Sequence, residues 1–219
     1  MSERTERTAR ALLERCGETY AEQAGIRLRN TPAPLYQALV LAHLLSARIR
    51  ADVAVAAARA LFDAGMTTPR HMADATWQQR VDALGVGGYR RYDERTARQL
   101  GDGAELALRE YGGDVRGLRG DDVAERLRAF PGIGPMGVDI FLREAQAVWP
   151  EHVPYIDGKA QDGAERVGLP RSPGALGGLV EDREVPRLTA GLVRVALDKD
   201  LAHEVRERAA GRQPGKPRP

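Results

Sequence analysis

The sequence predicts an all-α protein. Three observations carry that expectation. Apolar residues recur at helical spacing along almost the whole chain, and no run of alternating apolar and polar residues is long enough for a strand. The 24 glycines and 13 prolines, finally, break the pattern into many short pieces. A chain of 219 residues accommodates one large domain or two small lobes and buries a proper core without disulfides or metals.

The elements follow in order. A first helix is expected from Thr5 to about Gln23, with Ala11, Leu12, Cys16 and Tyr20 on one face. The proline-bearing stretch Asn30 to Pro34 interrupts it. Leu35 to Ile49 is apolar nearly all round, which suits a central buried helix. Asp52 to Phe62 is another, ended by Gly65; short helices begin after Thr68 and Thr76, the second closing at Leu84-Gly85. The glycine-rich loop Gly85 to Arg95 feeds a long helix to about Tyr111, stopped by Gly112-Gly113. Asp121 or Asp122 caps a helix through Phe130, PGIGP turns the chain, and Met136 to Trp149 is helical again. Pro150 to Tyr155 leads to Asp157 and a helix through Val167, and a last helix runs from near Asp182 to about Ala210. The stretch 211–219 reads as a disordered basic tail.

Composition excludes several kinds of chemistry. Cys16 is the only cysteine, so no disulfide framework, zinc ribbon or cysteine-ligated iron–sulfur cluster forms within one chain. That fits a reducing cytoplasm. Lys159, Lys199 and Lys216 are the only lysines among 33 basic residues, so chemistry that requires an amine has few places to sit. Net charge is +2, and Arg212, Lys216 and Arg218 all lie in the tail. A basic face must therefore come from arrangement rather than from excess charge. The start MSERTERTAR lacks a signal-peptide apolar core, and no stretch approaches the ~20 apolar residues a spanning helix needs. A cytoplasmic location is expected.

The most informative stretch is DDVAERLRAFPGIGPMGVDIFLREAQAVW, residues 121–149. Val123, Leu127 and Phe130 form one apolar stripe, and Val138, Phe141, Leu142 and Ala145 form another. Two helices thus face each other across a very short hairpin. Gly132 and Gly134 supply backbone freedom, and Ile133 between them points back into the junction. Gly134 immediately precedes a helix start, where free N–H groups and the positive end of the dipole face outward. A phosphate oxygen suits that place without any basic side chain. Taken alone, Pro-Gly-Ile-Gly is equally a tight interhelical turn. With its flanking apolar residues it matches a helix-hairpin-helix, a module that binds the DNA backbone without reading sequence.

Together with three other segments, this hairpin resembles the helix-hairpin-helix base-excision DNA glycosylases, the endonuclease III-like superfamily. The resemblance covers roughly residues 34–169. Leu44-Leu45-Ser46-Ala47-Arg48 with Asp52 is similar to the family's LLSAQ-type helix end, and Gly87-Gly88-Tyr89 to its second DNA-facing loop. FPGIGPMGV resembles the LPGVG hairpin. Pro154-Tyr155-Ile156-Asp157 followed by Arg166-Val167-Gly168-Leu169 resembles the segment that carries the catalytic aspartate. The resemblance implies a two-lobed helical fold, double-stranded DNA bound across the cleft and one damaged or mismatched base flipped out. It implies a division into 31–135, ending in the hairpin, and 1–30 with 136–210, carrying the aspartate. A monovalent cation at the hairpin is compatible with it; no other cofactor is expected.

Base excision passes through an oxocarbenium-like sugar, which a carboxylate stabilises while helping to activate water. Asp157 is the candidate, at a helix start, where an ordinary N-cap is the structural alternative. Asp139 is a rival placed on a helix flank. Family members that also cleave the strand use a lysine after the hairpin; here that position is Met136, which has no nucleophile. Lys159 is the remaining amine near the candidate site, and a solvated surface lysine is its other reading. A position in the following helix that is often basic in the family is Asp162, and the stretch from hairpin to Asp157 is a few residues longer than usual. The cysteine-ligated cluster of many relatives has no counterpart after Cys16. A monofunctional glycosylase with weak or absent strand cleavage is expected.

Arg48 sits where relatives place a glutamine that fills the space left by the flipped base; it equally suits a helix C-terminus. Tyr89, Arg90, Arg91 and Tyr92 mix aromatics and guanidinium groups beside glycines, which suits wedge insertion and phosphate contact or a solvated helix start. Gly85 to Gly88 has neither the preceding strand nor the Gly-Lys-Ser/Thr of a nucleotide loop. His43, His71, His152 and His203 show no metal-ligand spacing, and Ser46 has no evident paired base. The alternatives to the enzyme are a non-catalytic helix-hairpin-helix DNA-binding protein, which Met136 and Asp162 favour, and a protein-interaction module.

Overall fold

A computed structural model describes residues 2–211, so all of the expected tail except Gly211 lies outside the described residues. Every regular element among them is helical. The chain divides into two compact units: one comprises the N-terminal stretch through Thr19 and the chain from Trp149 onward, the other Tyr20–Val148.

The first helix, α1 (Glu3–Cys16), is capped by Ser2, whose Oγ accepts the Thr5 amide. It ends at Gly17 rather than running to Gln23. There the chain closes so tightly that a β-carbon on Gly17 would stand 2.6 Å from the Leu13 carbonyl oxygen. The short α2 (Tyr20–Gln23) is a separate element. Its first amides, Tyr20 N and Ala21 N, donate to the buried carboxylate of Glu144 at 3.2 and 3.1 Å.

Within Tyr20–Val148, α3 (Pro32–Ser46) is the central helix, buried nearly all round as its apolar run predicts. It stops three residues earlier than expected because Ala47 turns extended, with Ser46 Oγ donating to the His43 carbonyl at 2.7 Å. Then follow α4 (Ala51–Asp63), α5 (Pro69–Asp74) and α6 (Trp77–Val86), the last opened by a reciprocal Thr76–Gln79 capping box. After the loop, α7 (Asp93–Tyr111) ends on Gly112 in the left-handed conformation, φ 59°. A 3-10 turn at Val115–Leu118 leads to α8 (Val123–Arg128) and α9 (Pro135–Ala145). α3 packs against α4 and α9, while α7 packs against α5 and α6.

Arg80 of α6 knots these last three helices. It is 9% exposed, and its guanidinium donates to the Ala97, Met72 and Ala75 carbonyls at 2.8, 2.8 and 2.6 Å. Backbone oxygens satisfy the buried charge in place of a carboxylate.

In the other unit, a 3-10 turn (Pro150–His152) precedes α10 (Gly158–Arg166), α11 (Pro173–Gly177), α12 (Val185–Leu197) and α13 (Lys199–Ala209). The single long helix expected from Asp182 to Ala210 is broken at Asp198, whose Oδ1 caps α13 by accepting Asp200 N and Leu201 N at 2.9 and 3.0 Å. Residues 182–184 form a 3-10 turn ahead of α12. The core joins Leu12, Ile156, Ala160, Leu188, Leu192 and Val205. α10 and α12 approach so closely that a β-carbon on Gly163 would lie 1.9 Å from the Leu192 carbonyl oxygen. α12 also finishes α1: Arg194 Nη1 donates to the Cys16 carbonyl at 2.6 Å, and Arg15 pairs with Glu204 of α13 at 2.7 Å.

These boundaries differ from the sequence division into 31–135 and 1–30 with 136–210. The reason is α9, whose Val138, Phe141 and Leu142 are buried and whose packing partner is α3. Both arms of the hairpin therefore belong to Tyr20–Val148.

Candidate nucleic-acid interface

The hairpin forms as the sequence predicts: α8, a tight turn, then α9. Phe130, Ile133 and Val138 are buried beneath it. Ile133 packs under the first turn of α9, where a β-carbon on Gly137 would meet its side chain at 3.3 Å. Its amide is also spent, donating to the Phe130 carbonyl at 3.0 Å. Neither its side chain nor its N–H therefore faces solvent with a free donor. The amides of Gly132 and Gly134 have no acceptor among the described residues. Pro135 at N1 has no N–H, and the first intrahelical bond of α9 runs from Val138 N to the Gly134 carbonyl. The N–H groups of Met136 and Gly137 thus join those of the glycines at the positive end of an 11-residue helix.

Gly132 cannot be another residue without rearrangement. Its φ is +84°, and a β-carbon would stand 2.6 Å from His43 Cε1, 2.8 Å from His43 Nε2 and 2.8 Å from Gln99 Oε1. This contact joins the hairpin to a cavity of about 300 Å³ enclosed by the end of α3, the loop before α7 and the first turns of α7. On its buried side lie His43, Tyr89 and Thr96; Arg48, Arg95 and Gly132 lie on its exposed side. Ser46, Tyr92 and Gln99 complete the wall. Burial pushes the His43 imidazole down to about 4, with Arg95 adding to the shift and the Gln99 side chain opposing it.

The structure thus brings together Arg48, Tyr89 and Gly132 of the expected site around one cavity. Tyr89 does not act as a projecting wedge: its ring is 1% exposed and its hydroxyl lies 3.4 Å from the Thr96 hydroxyl, so it is wall rather than tip. Arg90 and Arg91 are the exposed members of that loop, and Arg91 sits 5.2 Å over the Tyr92 ring centroid. Met136 is 59% exposed on the first turn of α9.

Asp157 and Lys159 belong to the other unit. Asp157 is half-buried and caps α10, its Oδ1 accepting Lys159 N at 2.7 Å and Ala160 N at 3.2 Å. Lys159 is exposed, with its amine 3.7 Å from Asp162 in a surface cluster that also contains Arg171 and Glu165. Asp139 is half-buried along α9.

His43, Arg95, Thr96 and Gln99 were not singled out in the sequence. A signal exists: Tyr92, Arg95, Thr96 and Gln99 are spaced as one face of a helix, and His43 is the lone basic side chain in the apolar run of α3. Only the fold shows that these two features meet.

No family model and no curated protein matches the chain. Among solved structures, it is similar to a trapped endonuclease III–DNA covalent intermediate, an estranged-adenine complex, at 16% identity with a TM-score of 0.48; the match covers 86% of this chain and 84% of that one.

Proposed function

We propose that this protein is a DNA base-excision glycosylase that hydrolyses the N-glycosidic bond of a damaged or mismatched base without cleaving the strand. The observation that carries the reading is the hairpin, where the Gly132 and Gly134 amides and the first-turn amides of α9 stand ready for a phosphate oxygen. The order and spacing of the four family-like segments support it. Exposed Arg48, Arg90, Arg91 and Arg95 supply positive charge to the same unit despite the balanced total.

Asp157 is assigned the chemistry. As the bond from C1′ to the base nitrogen breaks, its electron pair leaves with the base and positive charge develops on the sugar. The Asp157 carboxylate stabilises that charge and accepts a proton from the water whose oxygen adds to C1′. Its cap of α10 fixes the carboxylate's direction. Absence of strand cleavage follows from Met136 at the hairpin position and from the Lys159 amine engaged with Asp162. A cluster held by four thiolates does not fit a chain whose single cysteine, Cys16, is buried in α1.

The rival reading is a DNA-binding protein without chemistry, favoured by the structural work Asp157 already does as a cap. Base release from duplexes carrying uracil, oxidised pyrimidine, 8-oxoguanine, alkylated purine or mismatched adenine decides between them. Release that Asp157→Asn abolishes while DNA binding persists supports the glycosylase. Tight binding to abasic DNA with no release from any duplex sinks it.

A further inference from the structure

A groove of about 900 Å³ runs between α4 and α6 in the Tyr20–Val148 unit, and none of its lining residues lines the cavity beside the hairpin. α4 supplies one wall with Ala56, Arg59, Ala60 and Asp63. α6 supplies the other with Gln79, Asp82, Ala83 and Val86. Both sets follow the i, i+3, i+4, i+7 spacing of one helix face, so each wall is a stripe two turns long, about 10 Å. At one end α6 presses on α4, where a β-carbon on Gly87 would stand 2.3 Å from the Ala57 α-carbon. At the other, His71 and Asp74 of α5 flank the opening. The alanines keep the floor low. Val86 at the rim is 82% exposed, more than any other large apolar side chain among the described residues. Asp63, Asp74 and Asp82 set three carboxylates around this floor against the one guanidinium of Arg59. Asp63 has no partner among the described residues, Asp82 accepts a hydrogen bond from the Gln78 side chain at 2.8 Å, and Asp74 lies 4.0 Å from Arg70.

We propose that this groove docks an amphipathic helix of a partner protein, with small apolar residues on its inner face and lysine or arginine along its edges. The two facing stripes are the walls against which a third helix packs, and the alanines let its backbone approach closely. An extended peptide fits less well, because helical walls offer no sheet edge to pair its amides, whereas a helix satisfies its own. Charge selects the partner: the carboxylates at Asp63, Asp74 and Asp82 attract a basic edge and repel an acidic one or a phosphate. Seating the helix also covers Val86, whose apolar surface is otherwise left in water. Arg48, Arg90, Arg91, Arg95 and the hairpin amides lie outside the groove, so the surface is separate from the one assigned to DNA. The inference stands without the DNA reading.

The test uses the full chain and a capped helical peptide with alanine and leucine on one face and lysine along both edges. A twin peptide carries glutamate in place of every lysine. Backbone amide resonances of the labelled protein are followed by NMR as each peptide is added. The lysine peptide is expected to shift Ala56, Ala60, Ala83 and Val86 and to bind more weakly as salt rises, and the glutamate twin is expected not to bind. Asp63→Lys and Asp82→Lys are each expected to weaken the lysine peptide about fivefold. Ala56→Trp, which fills the groove from its wall, is expected to abolish binding. All three positions are exposed, so the melting temperature and the affinity for a DNA duplex are expected to stay unchanged. Equal binding of the two peptides, shifts confined to other residues or no binding overturns the proposal. A concentration-dependent dimer in sedimentation velocity that Val86→Asp dissolves gives the groove to a second copy and overturns it as well. So does a synthetic peptide of residues 212–219 that shifts the same amides at lower concentration than the helix.

Discussion

A β-carbon on Gly132 would stand 2.6 Å from Cε1 of His43, so the backbone of the hairpin and an imidazole of the central helix occupy touching positions. Gly132→Ala is expected to disturb both at once. The left-handed φ of +84° costs an alanine about 1–2 kcal/mol, and the contact with His43 and Gln99 adds to it. Urea denaturation is expected to show a loss above about 2 kcal/mol, and DNA affinity is expected to fall further than the loss of folded protein accounts for. Unchanged affinity would remove the hairpin from the interface.

His43 makes stability depend on pH. Its folded value, about 4, lies below the 6.5 of a free imidazole, so between those values the unfolded chain binds the proton more readily. Stability attached to the neutral group is complete above about pH 6.5 and is lost as pH falls toward 4, by roughly 3 kcal/mol in all. Arg95 and Gln99 are the neighbours that tune it. Chemical denaturation across this window, compared with His43→Gln, is expected to show a steeper acid loss in the native protein. Parallel profiles would mean His43 protonates freely in the fold.

Asp157 separates cap from chemistry. Asparagine caps a helix about as well as aspartate, so Asp157→Asn is expected to leave the melting temperature nearly unchanged. Asp157→Ala leaves the Lys159 and Ala160 amides without their acceptor and is expected to cost about 1 kcal/mol. If Asn destabilises as much as Ala, loss of activity in Asp157→Asn no longer speaks for chemistry.

Arg80→Met preserves length but abandons three carbonyls on α5, the following turn and α7. Each buried group left without a partner costs about 1–3 kcal/mol, so the variant is expected to lose several kcal/mol or not to fold. Arg80→Lys, whose compact ammonium does not span the same fork, is expected to recover only part. Full stability in Arg80→Met would mean that water replaces the guanidinium there.

Gly163→Ala probes the other unit. With the Leu192 carbonyl 1.9 Å from the new carbon, α10 and α12 must separate. Overpacking of this kind costs about 1–3 kcal/mol or more. A thermal midpoint equal to the native one would contradict the observed spacing.

What was legible in the sequence depended on how local the cause was. The all-α class, the buried α3, the Gly112 stop and the hairpin rest on residues close together in the chain, so periodicity and turn chemistry revealed them. The breaks at Gly17 and Asp198 were missed because the helical spacing continues through both; a tight backbone approach and a side-chain cap decided them. Tyr89 looked exposed beside two arginines and three glycines, yet Thr96, a turn into α7, receives it in the interior. The cavity was invisible for the same reason: His43 and Gln99 are far apart in sequence and meet only because α3 and α7 enclose the Gly132 turn.

The bonds that finish α1 have a consequence for the order in which the protein is made. Cys16 and Arg15 leave the ribosome before Tyr20–Val148, but their partners Arg194 and Glu204 come after it. Between them lies Tyr20–Val148, whose last helix ties back to its beginning where Glu144 accepts the Tyr20 and Ala21 amides. Domains tend to fold as units as they emerge, so the hairpin-bearing unit is finished while α1 still waits. A stalled or truncated synthesis product would therefore carry a formed hairpin on an unfinished protein.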